Sequence, residues 1–326
     1  MNEFKIAQPH SIGQVTSFLS KKQEDCYLMA GGTDLLGELK SGIVKADVIV
    51  DLKTIPELSF IKKEKDKIRI GALTPVSELA QNSLIKNEYP VLHQAGLSLA
   101  TPQLRNVGTA GGNLCQRPRC WYYRDPQILC LKKGGHKCFA FNGRNKYHAI
   151  LGGGPCFIVY PSDLAPALIS LGAEVIIASS KEEKTIPLEE FYVLPRENLL
   201  KENILKPGEI LKEIQFPLKA SGEKNTYLKL KERGTWDFAL VSAAVNAQLT
   251  GDTAKEIRIA LGGVAPIPWR AKKAESMIRG NRINQDLLQK AVQEELKDAE
   301  PLQENGYKTE LFQSVMSQAV LSLINP

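Results

Sequence analysis

The distribution of cysteines is the feature of this sequence that most restricts its fold. Five of the six cysteines lie between Thr109 and Asp163, at positions 115, 120, 130, 138 and 156. A Gly-Gly-Asn turn opens this stretch and a Pro-Ser-Asp turn closes it. Six cysteines are too few for a disulfide scaffold in a chain of 326 residues, and their clustering favours a loop that binds a metal or a cluster. A cysteine-rich loop therefore interrupts otherwise ordinary structure.

Four of these cysteines follow the pattern C-x9-C-x7-C-x17-C, namely Cys120, Cys130, Cys138 and Cys156. Four thiolates are the ligand set of a [4Fe–4S] cluster, and the glycines and Lys or Arg residues of the loop suit the wrapping and the charge of such a core. The spacing alone leaves three alternatives open. These are structural zinc, with a loop histidine as a substitute ligand, disulfides in an oxidising compartment, and unligated buried cysteines.

Two glycine turns are candidate nucleotide-binding sites. The first follows an apolar run at 26–30, and Thr33 or Asp34 can cap a helix that begins at Leu35. The second is Gly111-Gly112, with Thr109 before it and Asn113 after it. A strand, a glycine turn and a helix start is an arrangement that binds pyrophosphate, so two such turns predict a long dinucleotide held from two sides. No GxGxxG motif follows a strand, so no Rossmann site is predicted. Cys115 is expected beside the nucleotide rather than on a metal, and Cys26 is expected in the core.

Composition narrows the class of protein. The hydrophobic content of 43% and the charged content of 24% are those of a globular protein, and the net charge of +6 is spread over single lysines. No basic block predicts nucleic-acid binding. The first residues lack the pattern of a signal peptide, and no apolar run approaches the roughly 20 residues of a membrane span. A cytoplasmic protein is expected.

Periodicity predicts mixed helices and strands, with no internal repeat. Helices are expected at 11–20, from 35, from 74, at 89–99, from 164, at 186–195, from 268, at 284–298 and at 308–323. Strands are expected at 26–30, 46–52, 68–70, 173–178, 208–217, 225–231, 238–249 and 257–262. Ser221-Gly222 marks a boundary before a further unit.

Six segments together resemble a known family. They are AGGTDLL (30–36), QLRNVGTAGGNLCQ (103–116), PSDLAPAL (161–168), ILKPGEILKEIQFP (204–217), YLKLKERGTWDFALVSAAV (227–245) and ALGGVAPIPWRA (260–271). In this order they resemble the FAD-binding medium subunit of molybdenum hydroxylases, the xanthine dehydrogenase and carbon monoxide dehydrogenase family. The cysteine loop is similar to that of a subgroup whose flavin subunit carries an extra [4Fe–4S] cluster, such as 4-hydroxybenzoyl-CoA reductase and a bacterial periplasmic aldehyde oxidoreductase.

The resemblance implies an α+β fold. It has two FAD-binding subdomains of the vanillyl-alcohol-oxidase type, at 1–57 and 58–220, with the cysteine loop at 114–157 in the second. A C-terminal α+β domain of the carbon monoxide dehydrogenase flavoprotein type, at 221–326, follows.

The resemblance also implies which residues hold the two cofactors. Met29 to Leu35 would surround the FAD pyrophosphate, Asp163 would bond the flavin, and Lys229 would lie near its ring. The other expected FAD contacts are Thr101, Thr109, Gly112, Asn113, Cys115, Gln116, Ile210 and Leu211. The residues expected around the pyrophosphate are Met29, Ala30, Gly31, Gly32, Thr33, Asp34 and Leu35. Cys120, Cys130, Cys138 and Cys156 would bind the [4Fe–4S] cluster.

By the same resemblance, this chain would relay electrons while substrate chemistry takes place elsewhere. A large molybdenum-cofactor subunit and a small subunit with two [2Fe–2S] clusters would be its partners, and a ferredoxin-like protein would be the external carrier. A partner with an export signal would take the chain to the periplasm. Two alternatives from other classes remain, namely a stand-alone flavin oxidase with a zinc loop and a zinc-stapled binding module without a redox role.

Overall fold

Three β-sheets follow one another along the chain in the computed structural model, which describes residues 3–21 and 25–324. The first sheet is parallel and has the order β1-β3-β2. The second is antiparallel, with the order β4-β5-β8-β6-β7, and the third is antiparallel, with the order β12-β11-β10-β9. The strands are β1 (Lys5–Ala7), β2 (Cys26–Met29), β3 (Val48–Asp51), β4 (Ile61–Lys63), β5 (Lys67–Gly71), β6 (Glu174–Ala178), β7 (Glu183–Pro187), β8 (Ile210–Pro217), β9 (Glu223–Leu230), β10 (Val241–Thr250), β11 (Thr253–Gly262) and β12 (Trp269–Arg270).

Helices cover the sheets and occupy the connections between them. They are α1 (Ile12–Lys21), α2 (Leu35–Lys40), α3 (Val76–Gln81), α4 (Ser83–Glu88), α5 (Pro90–Ser98), α6 (Pro102–Val107), α7 (Ala110–Leu114), α8 (Trp121–Arg124), α9 (Leu164–Ser170), α10 (Lys272–Ile278), α11 (Gln285–Glu295) and α12 (Tyr307–Leu321). Within the described ranges, no helix combines the length and the apolar character needed to cross a bilayer.

Each sheet packs into one of three main apolar clusters. One cluster joins the second sheet to α3, α5 and α9, and it includes the buried pair Tyr89 and Phe216. A second cluster joins β10 and β11 to α10, α11 and α12. The first sheet packs against α1 through Val15 and Val50. Each expected unit therefore contains one sheet, but the clusters extend across the units, since the first also contains Ala244 and the third also contains Ile210. The residue limits 1–57, 58–220 and 221–326 stay predictions.

Most of the predicted elements are confirmed to within a few residues. The expected strand at 68–70 lies within β5, which pairs with β4, and the two C-terminal helices are α11 and α12. One helix prediction is wrong, and one helix begins later than expected. Residues 186–195 contain the end of β7 and a single 3₁₀ turn, Leu188–Glu190, and the helix expected from Pro268 begins at Lys272, after the short strand β12. In both cases, pairing with a neighbouring strand outweighs local propensity.

Candidate functional site

A cleft of about 930 Å³ lies where the three units meet, and the cysteine loop forms part of its wall. Sixteen of the seventeen FAD contacts expected from the sequence line it. They are Met29, Ala30, Gly31, Gly32, Thr33, Asp34, Leu35, Thr109, Gly112, Asn113, Cys115, Gln116, Asp163, Ile210, Leu211 and Lys229. Thr101 is not among the lining residues. It caps α6 instead, because its hydroxyl accepts a hydrogen bond from the Leu104 amide.

The first glycine turn presents unpaired backbone donors to this cleft. In the described part of the chain, none of the five amides of residues 31–35 donates to a protein acceptor. Gly32 has a φ of 73°, which turns the chain sharply between β2 and α2. Successive free amides in a turn attract anions, so this turn fits a diphosphate.

The second glycine turn differs from the first, because its amides are already satisfied. Gly111 donates to the Ala72 carbonyl, Gly112 to the Thr109 hydroxyl, and Asn113 to the Thr109 carbonyl. Its glycines serve close packing, since a Cβ on Gly111 would lie 2.7 Å from that of Ala72. The second turn therefore offers none of its three amides at Gly111, Gly112 and Asn113 to a ligand.

Gly31 brings the two turns together. A Cβ at this position would lie 2.1 Å from the carbonyl oxygen of Val107, which directly precedes the second turn. The absence of a side chain lets the turn regions pack against each other along one side of the cleft.

A buried ion pair lies at the other end of the cleft. Lys229 Nζ is 2.7 Å from Asp163 Oδ2, and the two side chains are only 3% and 6% exposed. Tyr227 donates its hydroxyl to Asp163 Oδ1 at 2.7 Å, and Lys229 also donates to the Ser98 carbonyl. Asp163 makes no capping bond to α9. Lys229 is thus a buried, fixed cation and not a solvated strand lysine.

Three neighbouring residues connect the second turn to the cysteine loop. Asn113 accepts a hydrogen bond from the Ser162 hydroxyl, and Gln116 donates to the Asn113 carbonyl. Burial raises the pKa of the Cys115 thiol to about 12. Cys115 is therefore a neutral thiol on the cleft wall, consistent with its exclusion from the metal ligands.

Asp34 anchors the cysteine loop to the first glycine turn. Its Oδ2 accepts from the Arg117 amide, while Oδ1 lies 2.8 Å from Arg119 and 2.7 Å from Arg124. One turn further along α2, the buried Glu38 accepts a hydrogen bond from the Tyr123 hydroxyl. The Asp34 carboxylate, expected to contact the cofactor, is occupied by the loop.

Glu202 anchors the loop a second time. This buried carboxylate lies 2.6 Å from Lys132 Nζ and 2.9 Å from a terminal nitrogen of Arg117. Lys132 also donates to the Leu199 carbonyl. One acidic side chain therefore balances two loop cations in the interior.

The four expected cluster ligands are neighbours. The thiols of Cys138 and Cys156 hydrogen-bond each other, which lowers the pKa of Cys138 to about 6 and raises that of Cys156. Burial raises the pKa of Cys120 to about 11, and the charges of Cys138 and Cys130 add to that rise. Among the described residues, however, no three or more His, Cys, Asp or Glu side chains form a ready-made metal site. The loop brings the thiols close without arranging them around one centre.

His148 contacts this group of thiols. Its Nε2 lies 3.2 Å from Cys120 Sγ, its Nδ1 has no partner in the part of the chain that is described, and burial lowers its pKa to about 4. A second cavity of about 520 Å³ is lined by His148, Cys120 and the aromatic ring of Trp121. It shares Asp163 with the cleft, so the ion-pair end of the cleft adjoins the thiols.

The end of the loop is held by residues just before and within α12. Asn145 and Glu304 exchange two hydrogen bonds, and Asn305 donates to the His148 and Ala149 carbonyls. Lys308 is fully buried and donates to the carbonyls of residues 147 and 263. Burial lowers the pKa of Lys308 to about 7.

Several cleft residues were not predicted as FAD contacts. The loop contributes Arg117, Arg119, Lys132 and Lys133, and the segment after β9 contributes Trp236 and Phe238. The loop cations were expected to balance a cluster, so their position on the cofactor cleft is new. The sequence signal that could have found these loop cations is the abundance of arginine immediately after the second glycine turn.

Comparison with known proteins identifies the family. Residues 2–219 match the FAD binding domain in molybdopterin dehydrogenase, and residues 225–323 match the CO dehydrogenase flavoprotein C-terminal domain. The aldehyde oxidoreductase FAD-binding subunit PaoB of Escherichia coli is 33% identical over 296 residues, which cover 90% of this chain and 89% of that protein. The carbon monoxide dehydrogenase medium chain of Hydrogenophaga pseudoflava is 28% identical over 97% of this chain and 96% of its own.

A solved structure supports the same conclusion. A carbon monoxide dehydrogenase from Hydrogenophaga pseudoflava superposes with a TM-score of 0.79 and 25% identity, covering 99% of this chain and 97% of that chain. The fold predicted from the resemblance is confirmed. The chain belongs to the family of FAD-binding oxidoreductase subunits found in molybdopterin dehydrogenases.

Proposed function

We propose that this chain is the electron-transfer flavin subunit of a molybdenum hydroxylase complex and carries a [4Fe–4S] cluster beside its FAD. The observation that carries the proposal is the adjacency of the cofactor cleft and a loop with four neighbouring thiols. In this proposal a large subunit with a molybdenum cofactor performs the substrate chemistry. A small subunit with two [2Fe–2S] clusters connects it to this chain. The relatives named as a FAD-binding subunit and a medium chain support that division.

The cleft has the features that FAD requires along its length. The free amides of residues 31–35 suit the diphosphate, and Ile210 and Leu211 provide an apolar wall for the nucleotide. Thr109, Gly112 and Asn113 form the opposite side, where their backbone is already satisfied and only shape and side chains contribute. When bound, FAD supplies electron exchange in one-electron or two-electron steps.

The ion pair between Lys229 and Asp163 defines the expected flavin-ring end. Lys229 holds a positive charge in a buried setting, where an added negative charge on a neighbouring group is favoured. Asp163 keeps the ammonium in place and is itself oriented by the Tyr227 hydroxyl. This triad supplies a fixed electrostatic environment for a ring that gains and loses charge.

The thiols of Cys120, Cys130, Cys138 and Cys156 fit an iron–sulfur core better than an unligated packing role. The low pKa of Cys138 favours a thiolate at neutral pH, and thiolates are the form that binds metal. Lys132 lies near Cys156 and lowers its pKa, opposing the larger effect of Cys138. Because these residues are only neighbours here, closing around a core requires small shifts of the loop.

The loop surface supports the proposal of a protein carrier such as a ferredoxin. Lys137 and Arg144 are exposed on the loop, so a partner of opposite charge would be attracted to the side where the cysteines lie. The expected cytoplasmic location stays a prediction.

Anaerobic purification of the full-length chain, alone and with its partners, tests this proposal. We expect FAD and about four iron atoms per chain, as four thiolates imply, with visible absorbance from both cofactors. Cys130→Ser should remove the iron and keep the FAD, whereas the matched control Cys26→Ser should keep both. Flavin without iron would remove the cluster, and one zinc atom in its place would support the zinc-loop alternative. Failure to co-purify any molybdenum subunit would remove the proposed assembly.

A further inference from the structure

The cysteine loop contributes only positive charge to the cofactor cleft. Four charged residues of the loop line the cleft, and all four are cations: Arg117, Arg119, Lys132 and Lys133. Glu202 partners two of them, Arg117 and Lys132, and Lys133 donates to the Asp125 carbonyl. Arg119 is the loop cation whose carboxylate partner lies in the first glycine turn itself.

Arg119 is only partly compensated in its site. It shares the single carboxylate of Asp34 with Arg124, and its side chain is 28% exposed. Two guanidinium groups therefore face one carboxylate oxygen, at 2.8 Å from Arg119 and 2.7 Å from Arg124. A second anion beside this guanidinium would therefore be favourable.

The Arg119 guanidinium also has unused hydrogen-bond donors. Of its five N–H groups, one bonds Asp34 Oδ1, one the Arg117 carbonyl and one the Gln116 side-chain oxygen. Nε and one terminal N–H have no acceptor in the part of the chain that is described. Through Asp34, the guanidinium lies next to the five unpaired amides of residues 31–35, on the same cleft.

We propose that Arg119 is a phosphate ligand of FAD, so that the diphosphate is held between the free amides of the first glycine turn and a guanidinium from the cysteine loop. This inference rests on the proposed function, since it assumes that FAD occupies the cleft. It makes the loop a part of the cofactor site. A guanidinium suits the role because its planar donors pair with phosphate oxygens in two places at once.

The test compares two flavins that differ in their phosphates. The deflavinated full-length chain is titrated with FAD and with riboflavin, which has no phosphate, and flavin fluorescence reports binding. We expect Arg119→Gln to raise the Kd for FAD at least roughly tenfold and to leave the Kd for riboflavin unchanged. Arg119→Lys should recover part of the FAD affinity, since it keeps the charge and loses the planar donors.

The matched control is Lys137→Gln, which removes an exposed cation of the same loop that contacts the Phe139 ring. It should leave both affinities unchanged. Equal weakening of FAD and riboflavin in Arg119→Gln would overturn the assignment, because it would indicate a general effect on the loop. Unchanged FAD affinity would overturn it as well. A wild-type chain that binds neither flavin would overturn the proposed cleft, and this assignment with it.

Discussion

Removing the ammonium of Lys229 tests how firmly the flavin-ring end of the cleft is fixed. In Lys229→Met, the Asp163 carboxylate stays buried and loses the one charged partner that it has among the described residues, which lay 2.7 Å away. Breaking a buried pair by removing one partner costs about 3–5 kcal/mol, because the remaining charge is neither hydrated nor balanced. The hydrogen bond from Tyr227 offsets part of this cost, so we expect about 3 kcal/mol.

Hydrogen exchange with mass spectrometry measures this effect locally. A chain with three sheets need not unfold in one step, so one global free energy is a poor readout. The opening free energy of peptides spanning 223–250, which contain β9 and β10, should fall by the expected amount. The double variant Asp163→Leu with Lys229→Met should regain most of it, since no charge is then left unpaired.

An exposed pair serves as the control. Lys273 lies 2.5 Å from Asp298, and the two side chains are 41% and 63% exposed. Lys273→Met should therefore leave the opening free energy of its peptides nearly unchanged. If Lys229→Met had as small an effect, the Lys229–Asp163 pair would be hydrated in solution and Lys229 would not be a fixed buried cation.

Three further substitutions test the anchors around the cleft. Gly31→Ala would place a methyl group 2.1 Å from a carbonyl oxygen, and we expect it to destabilise the protein by about 1–3 kcal/mol and to weaken FAD binding. The control Gly37→Ala in α2, where nothing lies within 4 Å of the added methyl group, should have neither effect. Equal effects of the two substitutions in thermal melts and FAD titrations would contradict this expectation. Lys308 has a pKa near 7, below its unfolded value of about 10.4, so α12 of the wild type should gain local stability as pH rises from 7 to 10. Hydrogen exchange of α12, corrected for the intrinsic exchange rate at each pH, should show no such gain in Lys308→Met, and parallel pH profiles would show that Lys308 is not desolvated. Glu202→Gln leaves two loop cations without a carboxylate, so trypsin should cleave at Lys132 faster than in the wild type, and an unchanged cleavage rate would place the anchor elsewhere.

The fold was largely predictable because its signals are local or extend over the whole chain. Apolar runs located β3, β6 and β8, and the ordered motifs indicated the family. The missing helix at 186–195 and the late start of α10 show the limit of local propensity. Trp269 and Arg270 form a strand only because β11 offers an edge to pair with, and sequence spacing carries no signal of that edge.

The sequence predicted which residues line the site, but it did not predict which contacts each side chain makes. The sequence indicates that Asp34 lies in a binding turn, yet its carboxylate is used by arginines more than 80 positions later. Similarly, Lys229 reads as one lysine among many on a strand until the fold brings Asp163 within 2.7 Å. Such long-range pairing depends on the three-dimensional path of the chain. The number of free amides at each glycine turn depends on it too.

The hydrogen bonds between the α12 region and the cysteine loop determine when the loop is completed during protein synthesis. Residues 304–308 fasten the segment that follows Arg144, and Glu304 is synthesised 159 residues after its partner Asn145. A nascent chain has already displayed all six cysteines long before this fastening forms. The loop is therefore completed only after residues 304–308 have been synthesised, and a group that it encloses is exposed until then.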